Sequence, residues 1–221
     1  MLKRIGIIGF FKTLYWNLKL LPFSQAICLP ILFSRYVSVY KTRFGSVQFN
    51  DKIGFGMLSF GVSYWNFSFK ERIFIQIEGK LVINGCNTHY FAGGTSMTIR
   101  KNGILEIGDK FSAGRNCRFM ISAHSLIGDN IMFSWDNQYM DSDAHPIYNS
   151  EGQILNEPKG FVIEDNVWMG CRCTTLKGVR IKEGCIIASN SLMTKSTEWN
   201  NSLYAGDRCL KRDIKWKRSV I

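Results

Sequence analysis

A six-residue rhythm is the feature that most restricts how this chain can fold. From residue 163 to 198 the sequence divides into the sixes IEDNVW, MGCRCT, TLKGVR, IKEGCI, IASNSL and MTKSTE. Five of the six first positions are bulky and apolar, and every fifth position is small or β-branched. An α-helix cannot use this pattern, because six is not a multiple of its 3.6-residue turn. A single strand is also excluded, because strands usually have roughly 3–10 residues.

A coil of short strands joined by corners fits the rhythm. If each six forms one side of a triangle, three sixes complete a turn and the next turn stacks on it. This count predicts three pairs of neighbours: Ile163 with Ile181, Met169 with Ile187, and Thr175 with Met193. Successive turns would pair edge to edge at the usual strand spacing of about 4.8 Å. We therefore expect an all-β chain with a parallel β-helix.

The rhythm also sets the expected domain boundaries. It recurs in sixes between residues 107 and 138, with a two-residue slip at Phe119–Met120. Residues 139–162 interrupt it, and we expect them to form an extended loop that shapes an acceptor pocket. We place the coil at about 70–198, within a domain of residues 51–198. Residues 1–50 then form a basic, partly helical segment that caps the coil or lies beside it, and residues 199–221 form a basic tail.

Basic residues are concentrated at both ends of the chain. The formal net charge is +11, and residues 1–50 hold seven Lys or Arg and no acid. Such patches suit polyanions, among them nucleic acid, phosphorylated cofactors and anionic membranes. A solvated face without a partner is the alternative for either patch. Because no nucleic-acid-binding motif is present, we expect no nucleic acid partner.

Residues 5–21 predict a helix, because their apolar residues recur at near-helical spacing, at positions 7, 8, 11, 14, 18 and 21. Two roles stay open for it: peripheral contact with an anionic membrane, or a cap on the open end of the coil. No stretch reaches the roughly 20 apolar residues of a membrane span. The seven scattered cysteines include no CxxC pair and favour a reducing compartment. We expect a cytoplasmic protein, with the inner face of the membrane as an alternative location.

Several motifs together point to a known family. The sixes, with IEDNVWMG (163–170), IASNSLMTK (187–195) and YAGD (204–207), resemble the hexapeptide-repeat acyltransferases. More narrowly, DAHPI (143–147), a polar loop and VWMG (167–170) are similar to the O-acetyltransferases of the maltose, galactoside and surface-polysaccharide branches. The resemblance covers about residues 100–210. It implies a left-handed β-helix, a homotrimer, and acetyl-coenzyme A held in a cleft between neighbouring coils.

The resemblance also implies an activity and its catalytic residues. The activity is transfer of an acetyl group to a sugar hydroxyl, in a bacterial surface polysaccharide such as a capsule or O-antigen. This chemistry needs a base that removes the hydroxyl proton, and a histidine side chain is suited to it near neutral pH. His145 resembles the family's catalytic histidine, with Asp143 as first choice and Asp141 as second choice to orient its ring. Asn116 lies near the position of an asparagine that helps to hold the acceptor.

Binding residues follow from the same resemblance. Trp168 matches a tryptophan that lines the acyl and pantetheine region, with plain packing on the coil exterior as its alternative. The positions that match the family's pantetheine-binding coil edge are Gly170, Ala188, Ser189 and Thr194. Basic candidates for the phosphates of coenzyme A are Lys195, Lys211 and Arg212. For the acceptor sugar we expect Trp135, Tyr139, Asp141 and Tyr148.

Other functions remain open at this stage. Within the enzymes, the alternative is an N-acetyltransferase acting on a nucleotide-linked amino sugar. Outside them, the chain could be a non-catalytic binding module that uses its basic ends. A zinc hydratase on the same kind of coil needs three converging histidines. The chain has only three histidines, and the two in the clear repeat are 21 residues apart, His124 and His145. We therefore expect no metal.

Overall fold

The computed structural model describes residues 2–62 and 71–218, which contain two helices and 22 strands, numbered in chain order. Three sheets form the sides of a triangular coil. Sheet A contains β1 Ile31–Phe33, β4 Leu58–Phe60, β7 His89–Phe91, β10 Ser112–Ala113, β13 Met132–Phe133, β16 Trp168–Met169, β19 Ile186–Ile187, β21 Leu203–Ala205 and β22 Arg208–Lys211. Sheet B contains β2 Val37–Tyr40, β5 Ile73–Ile77, β8 Ser96–Ile99, β11 Arg118–Ile121, β14 Gln138–Met140, β17 Thr174–Thr175 and β20 Leu192–Met193. Sheet C contains β3 Val47–Phe49, β6 Lys80–Ile83, β9 Ile104–Ile107, β12 His124–Ile127, β15 Val162–Ile163 and β18 Arg180–Ile181.

The chain runs through sheets A, B and C in turn and forms a left-handed parallel β-helix. The three pairs predicted from the six-residue count are confirmed: Ile163 pairs with Ile181, Met169 with Ile187, and Thr175 with Met193. The fifth positions of the sixes are buried as well, from Val167 to Thr197. Bulky first positions fill the core, and small fifth positions fit where the chain turns a corner.

The corners give the site its geometry, so each is named by the sheets that it joins. The AB corner includes residues 114–116, 170–172 and 188–190; the BC corner includes residues 100–103, 122–123, 176–178 and 194–196; the CA corner includes residues 128–130 and 164–166. Asparagines occupy left-handed backbone conformations at these turns, with φ of 55° at Asn130 and 58° at Asn166. Asparagine tolerates this region better than most residues do, which explains its recurrence there.

The expected boundaries of the coil are wrong at its N-terminal end. The coil begins at Ile31, well before the predicted start near residue 70 and the domain boundary at residue 51. The first turns lack the six-residue count, because their strands and corners vary in length. At the other end, β21 still pairs in parallel with β19, and β22 then folds back antiparallel on β21. The inserted loop occupies residues 141–161, between β14 and β15.

The predicted N-terminal helix is present and closes the first turn of the coil. Helix α1 spans Leu2–Leu20, with a break at Gly6, and α2 spans Phe23–Ala26. The side chain of Asn17 donates to the carbonyl of Ile31 at 2.7 Å and accepts from its amide at 3.1 Å. Thr13 accepts from the amide of Phe33 at 3.0 Å. These bonds satisfy the edge of β1, which would otherwise be unpaired, so the helix covers the open edge of the first turn.

Candidate active site

The loop of residues 141–161 leaves the coil at the BC corner through a neck held by Asp141. This side chain is fully buried. Its carboxylate accepts hydrogen bonds from the amides of Ser122 at 2.6 Å and Ala123 at 3.0 Å, and from the hydroxyl of Ser125 at 2.9 Å. Its carbonyl accepts from the amide of Lys159 and closes the neck. Asp141 therefore anchors the loop. Its predicted roles, in acceptor binding and as second choice to orient His145, are wrong because the carboxylate is saturated inside the protein.

Asp143 lies at the start of the loop, and its side chain is held by two hydrogen bonds. Its carboxylate accepts from Lys177 Nζ at 2.5 Å and from Asn156 Nδ2 at 2.8 Å. These hydrogen bonds, with the Lys177 charge beside them, lower the pKa of Asp143 below its ordinary value. Both bonds are made by Oδ2, and among the described residues neither carboxylate oxygen bonds the imidazole of His145, so the predicted orienting bond is not formed. Its contact with His145 is instead through the backbone, where its carbonyl accepts from the His145 amide at 2.8 Å.

The backbone immediately before His145 has an energetically unfavourable conformation. Ala144, the residue before it, has a φ of 64°, a region that non-glycine residues rarely occupy and that costs on the order of 1–3 kcal/mol. The carbonyl of His145 accepts from Asn156 Nδ2 at 2.8 Å, and Asn156 also accepts from the amide of Ile147. The His145 residue is exposed. Among the described residues its imidazole makes no hydrogen bond, so both ring nitrogens are accessible to a ligand.

His145 lines a cleft of about 320 Å³ between the loop and the preceding turns of the coil. The lining includes the basic residues Arg100 and Lys101 of the BC corner. Glu157 is the single carboxylate among the lining residues. A second cleft, of about 560 Å³, lies on the other side of the loop and is lined by Lys159, Lys177 and Thr194, among others. The loop thus separates two open clefts at one corner.

A different set of predicted residues lies at the AB corner. Gly170 packs so tightly on the next turn that an added Cβ would lie 2.6 Å from the amide nitrogen of Ser189. Ala188 and Ser189 belong to that next turn, and Asn116 and Trp135 belong to earlier turns. Asn116 Nδ2 donates to Asp136 at 3.1 Å within the corner itself. One side of the triangle, six residues at about 3.3 Å each, separates this corner from the BC corner by up to roughly 20 Å. Asn116 is not among the residues that line the cleft beside His145.

Thr194 and Lys195 do lie at the BC corner, in the last turn of the coil. The carboxylate of Asp207 accepts from the Thr194 hydroxyl and from both amides, at 2.8 Å for Thr194 and 3.0 Å for Lys195. Burial acts to raise the pKa of Asp207, but these hydrogen bonds outweigh it and leave that pKa below its ordinary value. The Asp207 contact fixes this turn while the Lys195 residue stays exposed.

Trp168 is covered by the chain's own tail. Its indole nitrogen donates to the Ser134 hydroxyl at 3.3 Å, and its ring lies 6.2 Å from that of Trp216. Trp216 in turn donates to the carbonyl of Asn166, and Arg218 donates to the carbonyl of Ile131 at 2.6 Å. The tail therefore runs back along the CA corner. Packing on the exterior, the alternative considered for Trp168, is the arrangement observed.

The remaining predicted binding residues differ in how far their side chains are exposed to solvent. Tyr139 is fully buried in the core and stacks 4.3 Å from Phe133, so its predicted contact with a sugar is wrong. Trp135 and Tyr148 are both more than half exposed. Arg212 lies on the ring of Trp199, with its guanidinium carbon 4.2 Å from the ring centroid. Lys211 ends β22 near the same end of the coil.

Four residues that position or line the site have no signal in the six-residue pattern. They are Arg100, Lys101, Asn156 and Lys177. Arg100 and Lys101 precede Asn102-Gly103, a turn signal that could have marked them as corner residues. Across residues 2–62 and 71–218, no three His, Cys, Asp or Glu side chains lie close enough to hold a metal ion. In the same part of the chain, no helix combines the length and apolar content needed to cross a bilayer.

Comparison with known proteins gives relatives over part of the chain. No protein-family model matches the sequence. A Schizosaccharomyces pombe protein assigned as an acetyltransferase is 33% identical over 92 residues, which are 41% of this chain and 44% of the relative. The galactoside O-acetyltransferase of Lactococcus lactis is 29% identical over 113 residues, which are 50% of this chain and 53% of the relative. The chain spans about half the length of the curated relatives that it matches.

A solved structure extends the likeness to most of the fold. The crystal structure of the polysialic acid O-acetyltransferase OatWY superimposes with a TM-score of 0.55 at 21% identity, over 86% of this chain and 93% of that chain. At this identity the likeness concerns the fold. The sequence relatives support the predicted resemblance to the galactoside O-acetyltransferases, and the solved structure supports the predicted fold.

Proposed function

We propose that the protein transfers an acetyl group from acetyl-coenzyme A to a hydroxyl of a sugar in a surface polysaccharide. The observation that carries the proposal is the presentation of His145: an exposed imidazole without an internal partner, at the edge of a cleft, on a strained and clamped loop. Strain of this kind persists where the surrounding structure enforces it, and it clusters at active sites. The sequence relatives named as O-acetyltransferases support the same chemistry.

In the proposed reaction, an imidazole nitrogen of His145 takes the proton of the acceptor hydroxyl. The hydroxyl oxygen attacks the thioester carbonyl, a carbon–oxygen bond forms, and the carbon–sulfur bond breaks. The proton passes from the imidazolium to the leaving thiolate, which departs as the thiol of coenzyme A. A positioned base of this type contributes about 10²–10⁴-fold to the rate.

Asp143 has a different role in this proposal from the one expected. Since its carboxylate binds Lys177 and Asn156, it acts as a positioning residue for the loop. Asn156 connects it to the backbone of His145 and Ile147. Loss of the Asp143 side chain would therefore displace His145. It would not remove a hydrogen-bond partner of the imidazole, because the two side chains are not bonded to each other.

The cleft favours an acceptor that carries negative charge. Arg100 and Lys101 line it together with His145, and Glu157 is the only carboxylate among the lining residues. Guanidinium and ammonium groups bind carboxylates and phosphates through charge-assisted hydrogen bonds. An acidic saccharide with a free hydroxyl fits this lining better than a neutral one.

The two separated sets of residues support a homotrimer as the active form. His145 and Lys195 lie at the BC corner, whereas Asn116, Gly170, Ala188 and Ser189 lie at the AB corner. Within one chain, the AB-corner residues are not among those that line the cleft beside His145. A neighbouring copy whose AB corner faces this BC corner would complete the site, with the coenzyme A chain along one corner and its phosphates near the basic tail.

A thiol-release assay with acetyl-coenzyme A and a panel of acidic saccharides, neutral saccharides and amino sugars tests the proposal. His145→Ala should lower turnover by about 10²–10⁴-fold with the fold intact. His124→Ala is the matched control, because His124 is also exposed but lies in sheet C and faces Glu106 at 3.3 Å. Retention of more than about a tenth of the turnover by His145→Ala, with chemistry rate-limiting, would contradict the role of His145.

The charge of the acceptor has its own test. Arg100→Gln should raise the Michaelis constant for an acidic saccharide and leave that for its carboxyl-reduced form unchanged. If the Michaelis constant for acetyl-coenzyme A rises instead, Arg100 belongs to the donor site and the acidic acceptor is wrong. Lys195→Glu is the converse variant, and should raise the constant for acetyl-coenzyme A alone.

A further inference from the structure

The outward face of α1 is apolar, which is unusual for a helix on the surface of a protein. Between residues 7 and 20 the large exposed side chains are Ile7 at 71%, Ile8 at 59%, Phe11 at 64%, Tyr15 at 55% and Leu18 at 54%. At 3.6 residues per turn they fall within an arc of about 100°. Phe23 at 73% and Ile27 at 61% continue the exposed apolar surface beyond the helix. Surface helices normally turn polar residues to solvent.

The inward face explains why the apolar residues point outward. Gly9, Thr13 and Asn17 recur every four residues and are buried against β1. Gly9 allows close approach, since a Cβ there would lie 2.7 Å from the carbonyl oxygen of Phe33. Thr13 and Asn17 supply the hydrogen bonds that β1 requires. Between residues 9 and 17 the buried contacts of the helix are thus made by small and polar side chains, while the large apolar side chains of the outward face stay exposed.

Positive charge lies at the edge of this apolar face. Residues 1–50 contain seven Lys or Arg and no acid. Lys19 borders the apolar arc, with its Nζ 3.0 Å from the Tyr15 hydroxyl and 5.0 Å from the ring centroid of Trp16. Arg35 and Lys41 are also exposed, in the first turn of the coil that α1 covers. Such a surface attracts anions, and it repels a second copy of itself.

We propose that the outward face of α1 binds the surface of an anionic membrane. An apolar helix face with basic residues at its edge inserts at the boundary between headgroups and acyl chains, and the helix lies in the plane of the bilayer. The basic residues add attraction to acidic headgroups. The helix would act as a peripheral contact and would hold the end of the coil at the membrane, independently of any catalytic activity.

Vesicle co-sedimentation of the full chain tests the proposal. Wild-type protein should sediment with vesicles that mix phosphatidylcholine with phosphatidylglycerol, and much less with vesicles of phosphatidylcholine alone. The double variant Ile8→Glu with Phe11→Glu should lower the bound-to-free ratio by about tenfold or more, because two apolar anchors are replaced by like charges. Both side chains are exposed, so the thermal melt should not change.

The matched control is Leu210→Glu. Leu210 is 51% exposed in β22, at the opposite end of the coil, so the same substitution there should leave vesicle binding unchanged. The proposal is overturned if the double variant binds like wild type, or if neutral vesicles bind equally well. It is also overturned if light scattering shows that the double variant dissociates an oligomer of the wild-type chain that does not bind vesicles, because the face would then cover a second copy.

Discussion

The first turns of the coil, residues 31–113, and the last turns, residues 163–198, build the same three sheets by different sequence rules. In the last turns, strands of two residues follow one another at fixed intervals, and the core is filled by Ile, Met and Cys. In the first turns the strands have two to five residues, the corners vary in length, and aromatic rings fill one side of the core. Phe60 stacks between Phe33 at 5.7 Å and Phe91 at 5.0 Å between ring centroids.

This difference shows that the repeat length is not what holds the coil together. In both regions, side chains along each short strand point alternately inward and outward. In both, an inward apolar side chain stacks on an inward apolar side chain of the next turn. The inward column of sheet C continues through both regions, from Ile83 and Ile107 to Ile163 and Ile181. A regular count of six is one way to keep that column in register. Variable corners with large inward residues are another.

The largest expected effect comes from placing a charge in this shared column. Ile181→Asp in the last turns and Ile83→Asp in the first turns both put an unpaired carboxylate at a fully buried position. Each should cost more than about 5 kcal/mol and prevent folding, since whole domains are stable by only about 5–15 kcal/mol. Lys182→Asp, one residue further on, should lower the free energy of unfolding by about 1 kcal/mol. This is the usual contribution of one hydrogen bond, here from Lys182 Nζ to the backbone carbonyl of Glu198. Thermal melts of the three variants check this. If the Ile83→Asp protein folds, we would conclude that the first and last turns fold as separate units.

A smaller effect distinguishes the two kinds of core. Phe91 and Met169 occupy the same inward column of sheet A, and both are fully buried. Phe91→Ala should cost about 3–5 kcal/mol and Met169→Ala about 2–5 kcal/mol, with the aromatic site at the upper end because its cavity is larger. Urea unfolding of both variants gives the comparison. If Met169→Ala is the more damaging change, the aromatic stack contributes less than its volume suggests.

The sequence predicted the last turns in detail because every inward residue there recurs at one interval. The turns before about residue 70 were missed because no fixed count relates Phe33 to Phe60, and only the pairing between strands reveals the column. Tyr139 could have been placed correctly, since it lies six residues after Phe133 and so falls at an inward position. Asn156 could not, because it acts within a loop whose hydrogen bonds follow no period.

Acid should destabilise the first turns through His89, a fully buried residue of β7. Burial lowers the pKa of His89 to about 4, although the nearby Asp109 acts to raise it. Between this pKa and the value of about 6.5 for an unfolded histidine, the unfolded chain binds more protons. Stability should therefore fall as the pH falls through this window, by about 3 kcal/mol for this residue. Urea unfolding at several pH values measures the loss. His89→Leu should remove this part of the pH dependence, and an unchanged pH profile in that variant would assign the loss to other groups.

The smallest effect is expected where the two regions meet, at two hydroxyl groups inside the core. Tyr139 and Thr175 are paired in register in sheet B, both are fully buried, and neither hydroxyl has a hydrogen-bond partner among the described residues. A buried hydroxyl without a partner costs about 1–3 kcal/mol, and removing it relieves that cost if the shape is kept. Tyr139→Phe should therefore raise the free energy of unfolding by about 1 kcal/mol, and Thr175→Val should do the same or less because its shape match is also close. Activity should not change in Tyr139→Phe, since this ring lies inside the coil. Destabilisation by both substitutions would mean that the two hydroxyls share an ordered water between the turns, and the junction would then depend on polar bonding where the turns on either side depend on packing.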